Sequence, residues 1–168
     1  NDDIILDFFS GSATTAHSVI KLNAEDGGER KFVMVQIPER TDEKSEAYKA
    51  GYKNIADIGK ERIRRAGKEI KEENKDKKGI DKLDVGFKVF KLDSTNLKQW
   101  DESTKNIQAS LLDAIDPVKE ERSQEDLMYE ILLKYGVDLT VPIEEKEIKG
   151  KKLFSVADNY LVVCLEKD

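Results

Sequence analysis

The apolar positions of this chain change period several times, and each change marks an element. Ile4-Ile5-Leu6-Asp7 is a short apolar run ending on a carboxylate, and its β-branched start predicts a strand. A helix is expected over Ala13 to Leu22, stopped by Asn23 and the Asp26-Gly27-Gly28 turn. Phe32 to Ile37, broken only by Gln36, has the pattern of a strand covered on both faces, and Pro38 closes it. Glu43 to Ala50 predicts a short helix ending at Gly51. Asn54 to Ile70 predicts a longer one, with Ile55, Ile58, Ile63, Ala66 and Ile70 on one stripe. Its other face carries Lys60, Arg62, Arg64, Arg65 and Lys68. Glu72 to Lys78 is a charge run and reads as a solvated helix end or loop. Val85, Phe87 and Val89 alternate before Phe90 and Leu92 change sides, as expected of one strand with a bulge or twist.

Strand, helix, strand, helix, strand at these spacings predicts right-handed crossovers and a parallel sheet, with the first three strands side by side. The pattern changes after Trp100. Ile107, Leu111, Leu112 and Ile115 mark one helix, ended by Asp116-Pro117. Leu127, Met128, Ile131, Leu132 and Tyr135 mark another, capped by Gly136. Val141 to Ile148, Lys152 to Val156 and Tyr160 to Leu165 then predict a small antiparallel meander, turned by Lys149-Gly150-Lys151 and Ala157-Asp158-Asn159. The expected division places one domain over residues 1–103 and a helical-plus-meander appendage over residues 104–168. No internal repeat is visible.

The chain has 168 residues, 38% of them charged and 38% hydrophobic, with a net charge of −6. That is enough for the core of one domain and a small appendage, and no apolar run is long enough to span a membrane. No signal peptide appears, and the one cysteine, Cys164, excludes an internal disulfide framework, so a cytoplasmic, reducing location is expected. The acidic balance argues against a main DNA-gripping surface, which would be basic. The chain opens straight into a strand without an initiating methionine, as a piece of a longer protein would.

Chemistry concentrates at Asp7-Phe8-Phe9-Ser10-Gly11-Ser12-Ala13-Thr14-Thr15. A strand-end carboxylate, a bend containing glycine and a helix start converge there. The helix start directs free N–H groups at an anion, and Asp7 attracts an amine, so the bend suits a ligand carrying both groups. The plainer reading of Asp7 is a carboxylate capping its own turn, and that of Phe9 is a core side chain. His17 is the one histidine, which excludes a metal cluster built on histidines and any triad needing a second one. Cys164 is expected to be structural, in a buried strand without a basic neighbour.

The same nine residues resemble the D-x-F-x-G-S-G-T-T signature of amino-group DNA methyltransferases, where it is the first S-adenosylmethionine (AdoMet) motif. Further runs resemble the modification (Mod) subunit of type III restriction–modification systems, a DNA adenine-N6 methyltransferase. They include Leu22-Asn23-Ala24-Glu25-Asp26-Gly27-Gly28, Phe32-Val33-Met34-Val35-Gln36-Ile37-Pro38-Glu39, Lys60-Glu61-Arg62-Ile63-Arg64-Arg65-Ala66 and Phe87-Lys88-Val89-Phe90-Lys91-Leu92-Asp93. The first motif alone is a weak signal, because glycine-rich strand-to-helix turns bind many nucleotides; the ordered set over most of the chain is a strong one. One departure is Ala13 in place of the motif's second glycine, a methyl that narrows the backbone approach.

This resemblance implies an α/β fold, a partial AdoMet-dependent methyltransferase (Rossmann-like) parallel sheet, with a C-terminal α+β appendage. It implies AdoMet as cofactor, held by Asp7, Phe9, Gly11, Ser12, Ala13, Thr14, Thr15 and Gln36. Asp7 would face the methionine amine, the amides from Gly11 to Thr15 its carboxylate, Phe9 the adenine, and Gln36, ahead of Glu39, the ribose. Asp93 or Ser94 would reach the adenine edge. The implied partners are double-stranded DNA through a recognition region absent from this chain, a second modification subunit and a restriction subunit, with no membrane. The [DNS]-P-P-[YFW] loop that holds the target amine is absent: Pro38, Pro117 and Pro142 are the three prolines and no two are adjacent. In the family that loop precedes the AdoMet motif, so the chain by itself is expected to bind AdoMet poorly, to methylate nothing and to associate through Ile4 to Leu6. The alternatives are a non-catalytic AdoMet-fold interaction module and, disfavoured by the missing G-x-G-x-x-G spacing, a dinucleotide oxidoreductase.

Overall fold

The computed structural model describes residues 1–99, Leu111, Ile115 and 117–166. It divides into two compact units, Asn1–Phe87 and Lys88–Asp168. The expected boundary between residues 103 and 104 falls outside the described residues.

The first unit is α/β. Strand β1 (Ile4–Asp7) leads through a bend into helix α1 (Thr14–Asp26), which returns to β2 (Lys31–Met34). The strands pair in parallel, Ile4 opposite Lys31 and Asp7 opposite Met34. Backbone bonds from Val35 to Asp7 (2.9 Å) and from Ser10 to Val35 (3.1 Å) carry the pairing up to the bend. Helix α1 runs past Leu22 and stops at Gly27, whose φ of 71° suits glycine. Its far end is fastened to the start of β2. Asn23, nearly buried, donates to the Arg30 carbonyl at 2.8 Å and accepts from the Arg30 amide at 3.2 Å. The Lys77 ammonium bonds the last carbonyls of α1, those of Ala24 and Glu25.

A short helix, α2 (Glu46–Lys49), precedes the long α3 (Ile55–Glu73), which Asn54 caps by accepting from the Asp57 amide at 2.9 Å. The expected stripe is the buried one. Ala16, Ile20 and Ala24 of α1 meet Ile63, Ala66 and Ile70 of α3, with Phe32 and Met34 of β2 against them. Alanines at the crossing let the helices close up, and each buried isoleucine contributes roughly 2 kcal/mol.

Two expectations are corrected here. Val85 to Leu92 forms no strand, so among the described residues the sheet has two strands and not three. The alternation is real, with Leu83, Val85 and Phe87 half-buried against the helix core, but these residues dock by side chains alone. Val85 sits so close over Gly67 of α3 that a Cβ there would lie 2.8 Å from that of Val85. Second, Phe32 to Ile37 is covered on one face. The other face leaves Ile4, Leu6, Val33 and Ile37 between 48% and 68% exposed. Both helices lie on the side of Ile5, Phe32 and Met34, whereas a parallel sheet ordinarily needs cover on both.

Among its described residues the second unit packs a helix on a three-stranded meander. Helix α4 (Gln124–Tyr135) starts at a capping box, with Ser123 and Asp126 bonding each other's backbone amides, and ends at Gly136, φ 69°. Strands β3 (Ile143–Ile148), β4 (Lys151–Val156) and β5 (Leu161–Cys164) are antiparallel neighbours in that order. Lys149 and Gly150 both take positive φ (54° and 79°), the twist a two-residue hairpin turn requires. Met128, Phe154 and Val163 form the core, with Ile131, Ile143 and Leu161 around it. Cys164 is exposed, not buried, because it faces away from that core. Of the helix expected from Ile107 to Ile115, Leu111 and Ile115 are helical and exposed; the rest lies outside the described residues.

Candidate functional site

The bend after β1 gathers the residues singled out from the sequence. Asp7 is half-buried at the strand end; one carboxylate oxygen accepts from the Thr15 hydroxyl at 2.6 Å and the other from the Phe9 amide at 3.3 Å. The turn-capping reading of Asp7 is thus correct as far as it goes. A carboxylate offers about four acceptor positions, so two remain for a further donor. Phe9 is not a core side chain: it is 77% exposed, with Phe8 edge-on at 6.0 Å between ring centres.

Gly11 has φ of +52°, which explains the glycine. Its amide donates to the side-chain oxygen of Gln36 at 2.6 Å, and the Gln36 amide nitrogen donates to the Ile37 carbonyl at 3.0 Å. Gln36 therefore braces the bend from just beyond β2 and occupies the Gly11 amide. Glu39 lies beyond it, exposed.

Ala13 also takes a left-handed conformation, φ 61°, at a strain of about 1 kcal/mol for a residue with a Cβ. Its methyl is 2% exposed and faces Gly59 of α3. The expectation that it narrows the approach to the bend is corrected: the methyl points into the core. With Ala13 at its N-cap, α1 begins with no side-chain cap and no acidic residue in its first turn. The amides of Thr14, Thr15 and Ala16 open that helix without an intrahelical acceptor. His17, one residue on, is half-buried.

Two residues missed in the sequence complete the bend. A Cβ on Gly59 would stand 3.3 Å from the Gly11 carbonyl and 3.4 Å from the Ala13 methyl. One turn on, Arg62 donates to the Ser12 hydroxyl at 3.0 Å. The two lie 50 positions apart, so no local pattern could have paired them. Ser12 in turn stands 3.5 Å from the Thr14 hydroxyl.

Asp93 and Ser94 are used differently from the expectation. In the second unit Asp93 pairs with Arg122 at 2.8 Å, and that guanidinium holds its carboxyl down at about 2. Ser94 accepts from Lys119 at 3.0 Å. Beside them, burial pushes the Glu130 carboxyl up, but bonds from Lys134, Thr95 and the Asn96 amide outweigh it and bring it to about 2. This cluster fastens the 93–97 segment to α4. Among the described residues no group of histidine, cysteine and carboxylates could hold a metal ion, and no helix is long and apolar enough to cross a membrane.

No protein-family model matches the chain. It is 35% identical over 173 residues to the type III restriction-modification enzyme EcoP15I Mod subunit of Escherichia coli, covering 98% of this chain and 24% of that protein. It is 42% identical over 90 residues to the StyLTI Mod subunit of Salmonella typhimurium (54% of this chain, 13% of that one). It is also 46% identical over 57 residues to the type II methyltransferase M.KpnI of Klebsiella pneumoniae (34% and 14%). The chain is thus related to restriction–modification proteins. Over nearly its whole length its kinship is with the type III Mod subunits, and it spans about a quarter of the EcoP15I Mod subunit.

Proposed function

We propose that this chain is the AdoMet-holding part of a type III Mod protein, a site-specific DNA methyltransferase acting on adenine N6. The observation that carries the reading is the pairing of a carboxylate at the end of β1 with the uncapped start of α1, in a chain related to Mod subunits. The residues fit the amino-acid end of the donor. Asp7 has acceptor positions left for the ammonium, and the amides of Thr14 and Thr15 suit the carboxylate. Since Gln36 takes the Gly11 amide, the carboxylate contact lies on the helix start and not on Gly11. Phe9, exposed beside the bend, is the side chain to lie along the adenine, and the second lone pair of the Gln36 oxygen is what a ribose hydroxyl would meet. AdoMet supplies the methyl group; this chain's own part is to orient the donor. The proposed Rossmann-like sheet explains the bare face of β1 and β2, which further elements would cover. Double-stranded DNA, a second modification subunit and a restriction subunit are the proposed partners of the whole protein, and residues 104–168 are proposed to make protein contacts.

A second reading, a non-catalytic module of the same fold, is favoured by one observation: Gln36 satisfies the Gly11 amide without any ligand. NMR titration of the chain with AdoMet and with S-adenosylhomocysteine separates the two. The donor reading expects weak, saturable shifts of the Thr14 and Thr15 amides. It also expects roughly ten-fold weaker binding in Asp7→Asn, the loss of one charge-assisted hydrogen bond. Absence of saturable shifts with both molecules would favour the second reading.

A further inference from the structure

We propose that Arg62 is a positioning residue for the donor-binding bend, holding Ser12 so that the first amides of α1 face the ligand carboxylate. The inference rests on the donor-holding reading above and assigns to that site a residue from another element. Its ground is the different use of the cations in the run Lys60 to Arg65 of α3. Lys60 pairs with Asp57 at 2.7 Å, and Arg64 and Arg65 pair with Glu61 at 3.9 and 2.7 Å. Arg62, half-buried among them, makes no ion pair among the described residues and gives a guanidinium N–H to Ser12 instead. Removing an arginine from water without a carboxylate is unfavourable, and the bond it does make fixes a serine inside the bend. Gly59 makes the arrangement possible. Lying three residues earlier on the same face of α3, it has no side chain to push the Gly11 carbonyl and Ala13 away, so the bend seats on the helix within reach of Arg62.

The bend is therefore held from two sides, by Gln36 on the Gly11 amide and by Arg62 on the Ser12 hydroxyl. Ser12 lies two residues before the helix start, so its placement sets the direction of the Thr14 and Thr15 amides. Arg62 acts through Ser12; the amides make the contact.

The test is a binding comparison on the intact chain, with AdoMet and with its decarboxylated form, which keeps the amine and lacks the carboxylate. Arg62→Gln and Ser12→Ala should each weaken AdoMet binding by about five- to ten-fold, the worth of one ordinary hydrogen bond at the misplaced amides. The double variant should be no weaker than either single one, and Arg62→Lys, which keeps a cationic donor of longer reach than glutamine, should restore most of the affinity. The decarboxylated form should bind all four variants like the parent. Equal losses for both ligands would show a merely structural role, and unchanged AdoMet binding in Arg62→Gln, or losses that multiply in the double variant, would also overturn the proposal. A parent chain that binds neither molecule overturns the donor-holding reading and this inference with it. Thermal melts of each variant confirm that it folds.

Discussion

The two units start their principal helices in opposite ways. Helix α4 has a complete capping box, with Ser123 and Asp126 satisfying each other's amides and Glu125 adding charge in the first turn. Helix α1 has an alanine in a left-handed conformation where a capping side chain would sit, and no acid in its first turn. One start is finished by its own residues. The other leaves its first N–H groups without a capping side chain, with the Asp7 carboxylate held beside them on the Thr15 hydroxyl. A missing cap of this kind costs about 1 kcal/mol, so a fold that caps α3 and α4 well and α1 not at all has its open amides where the sequence motif lies. The sheets differ in the same sense. The antiparallel meander fills its inner face with Phe154 and Val163 against α4, whereas the parallel pair β1–β2 keeps one apolar side bare.

The sharpest way to break this contrast is to give α1 the charge it lacks. Thr14→Asp should leave melting temperature unchanged or raise it, since an acid in the first turn stabilises a helix by roughly 0.3–1 kcal/mol. The same charge should weaken AdoMet binding by about ten-fold or more. Titration alongside a thermal melt reads both; a variant that binds as before would show that the helix start is not the anion site. Next in size is removal of the finished cap. Ser123→Ala should cost about 1 kcal/mol in urea unfolding at neutral pH. The pH dependence has a definite sign. The Ser123 backbone amide and then its hydroxyl hold the Asp126 carboxyl below the usual range, so this cap contributes stability above the unfolded carboxylate pKa. That contribution is lost as pH falls through the lowered folded value, and the deficit of the variant should shrink with it. A deficit unchanged in acid would deny Asp126 its place in the cap. The smallest effect is expected from Ala13→Gly. Relief of left-handed strain, about 1 kcal/mol, is offset by the loss of one buried methyl, about 0.8 kcal/mol, and by a looser unfolded chain. Stability within about 1 kcal/mol of the parent and unchanged AdoMet affinity are the outcomes to check, because the methyl faces Gly59.

Local patterns proved readable where local physics decides. The stripe Ile63, Ala66, Ile70 follows from helical period, the meander from its turn residues, and the bend from Asp7, Gly11 and the small residues between strand and helix. Period could not say whether Val85 to Leu92 finds a strand to pair with; the alternation it shows serves docking on Gly67. Nor could an apolar run report that Val33 and Ile37 lack a covering layer, since cover comes from other elements. The roles of Gln36 and Arg62 depend on contacts 25 and 50 positions away, and a single sequence carries no trace of either pairing. Nor does residue type tell which way a Cβ points, and that of Ala13 faces Gly59 and not the bend's open side.

The far end of α1 gives this arrangement a further property. Tied to Arg30 through Asn23 and crossed by the ammonium of Lys77, the helix is a braced rod whose negative pole is already answered. Its opposite pole has the Asp7 carboxylate on the Thr15 hydroxyl and the Arg62 guanidinium on Ser12 beside it, but the first backbone N–H groups there have no side-chain cap. An arriving carboxylate would complete the second pole without the rod having to shift, so little ordering remains to be done when it docks.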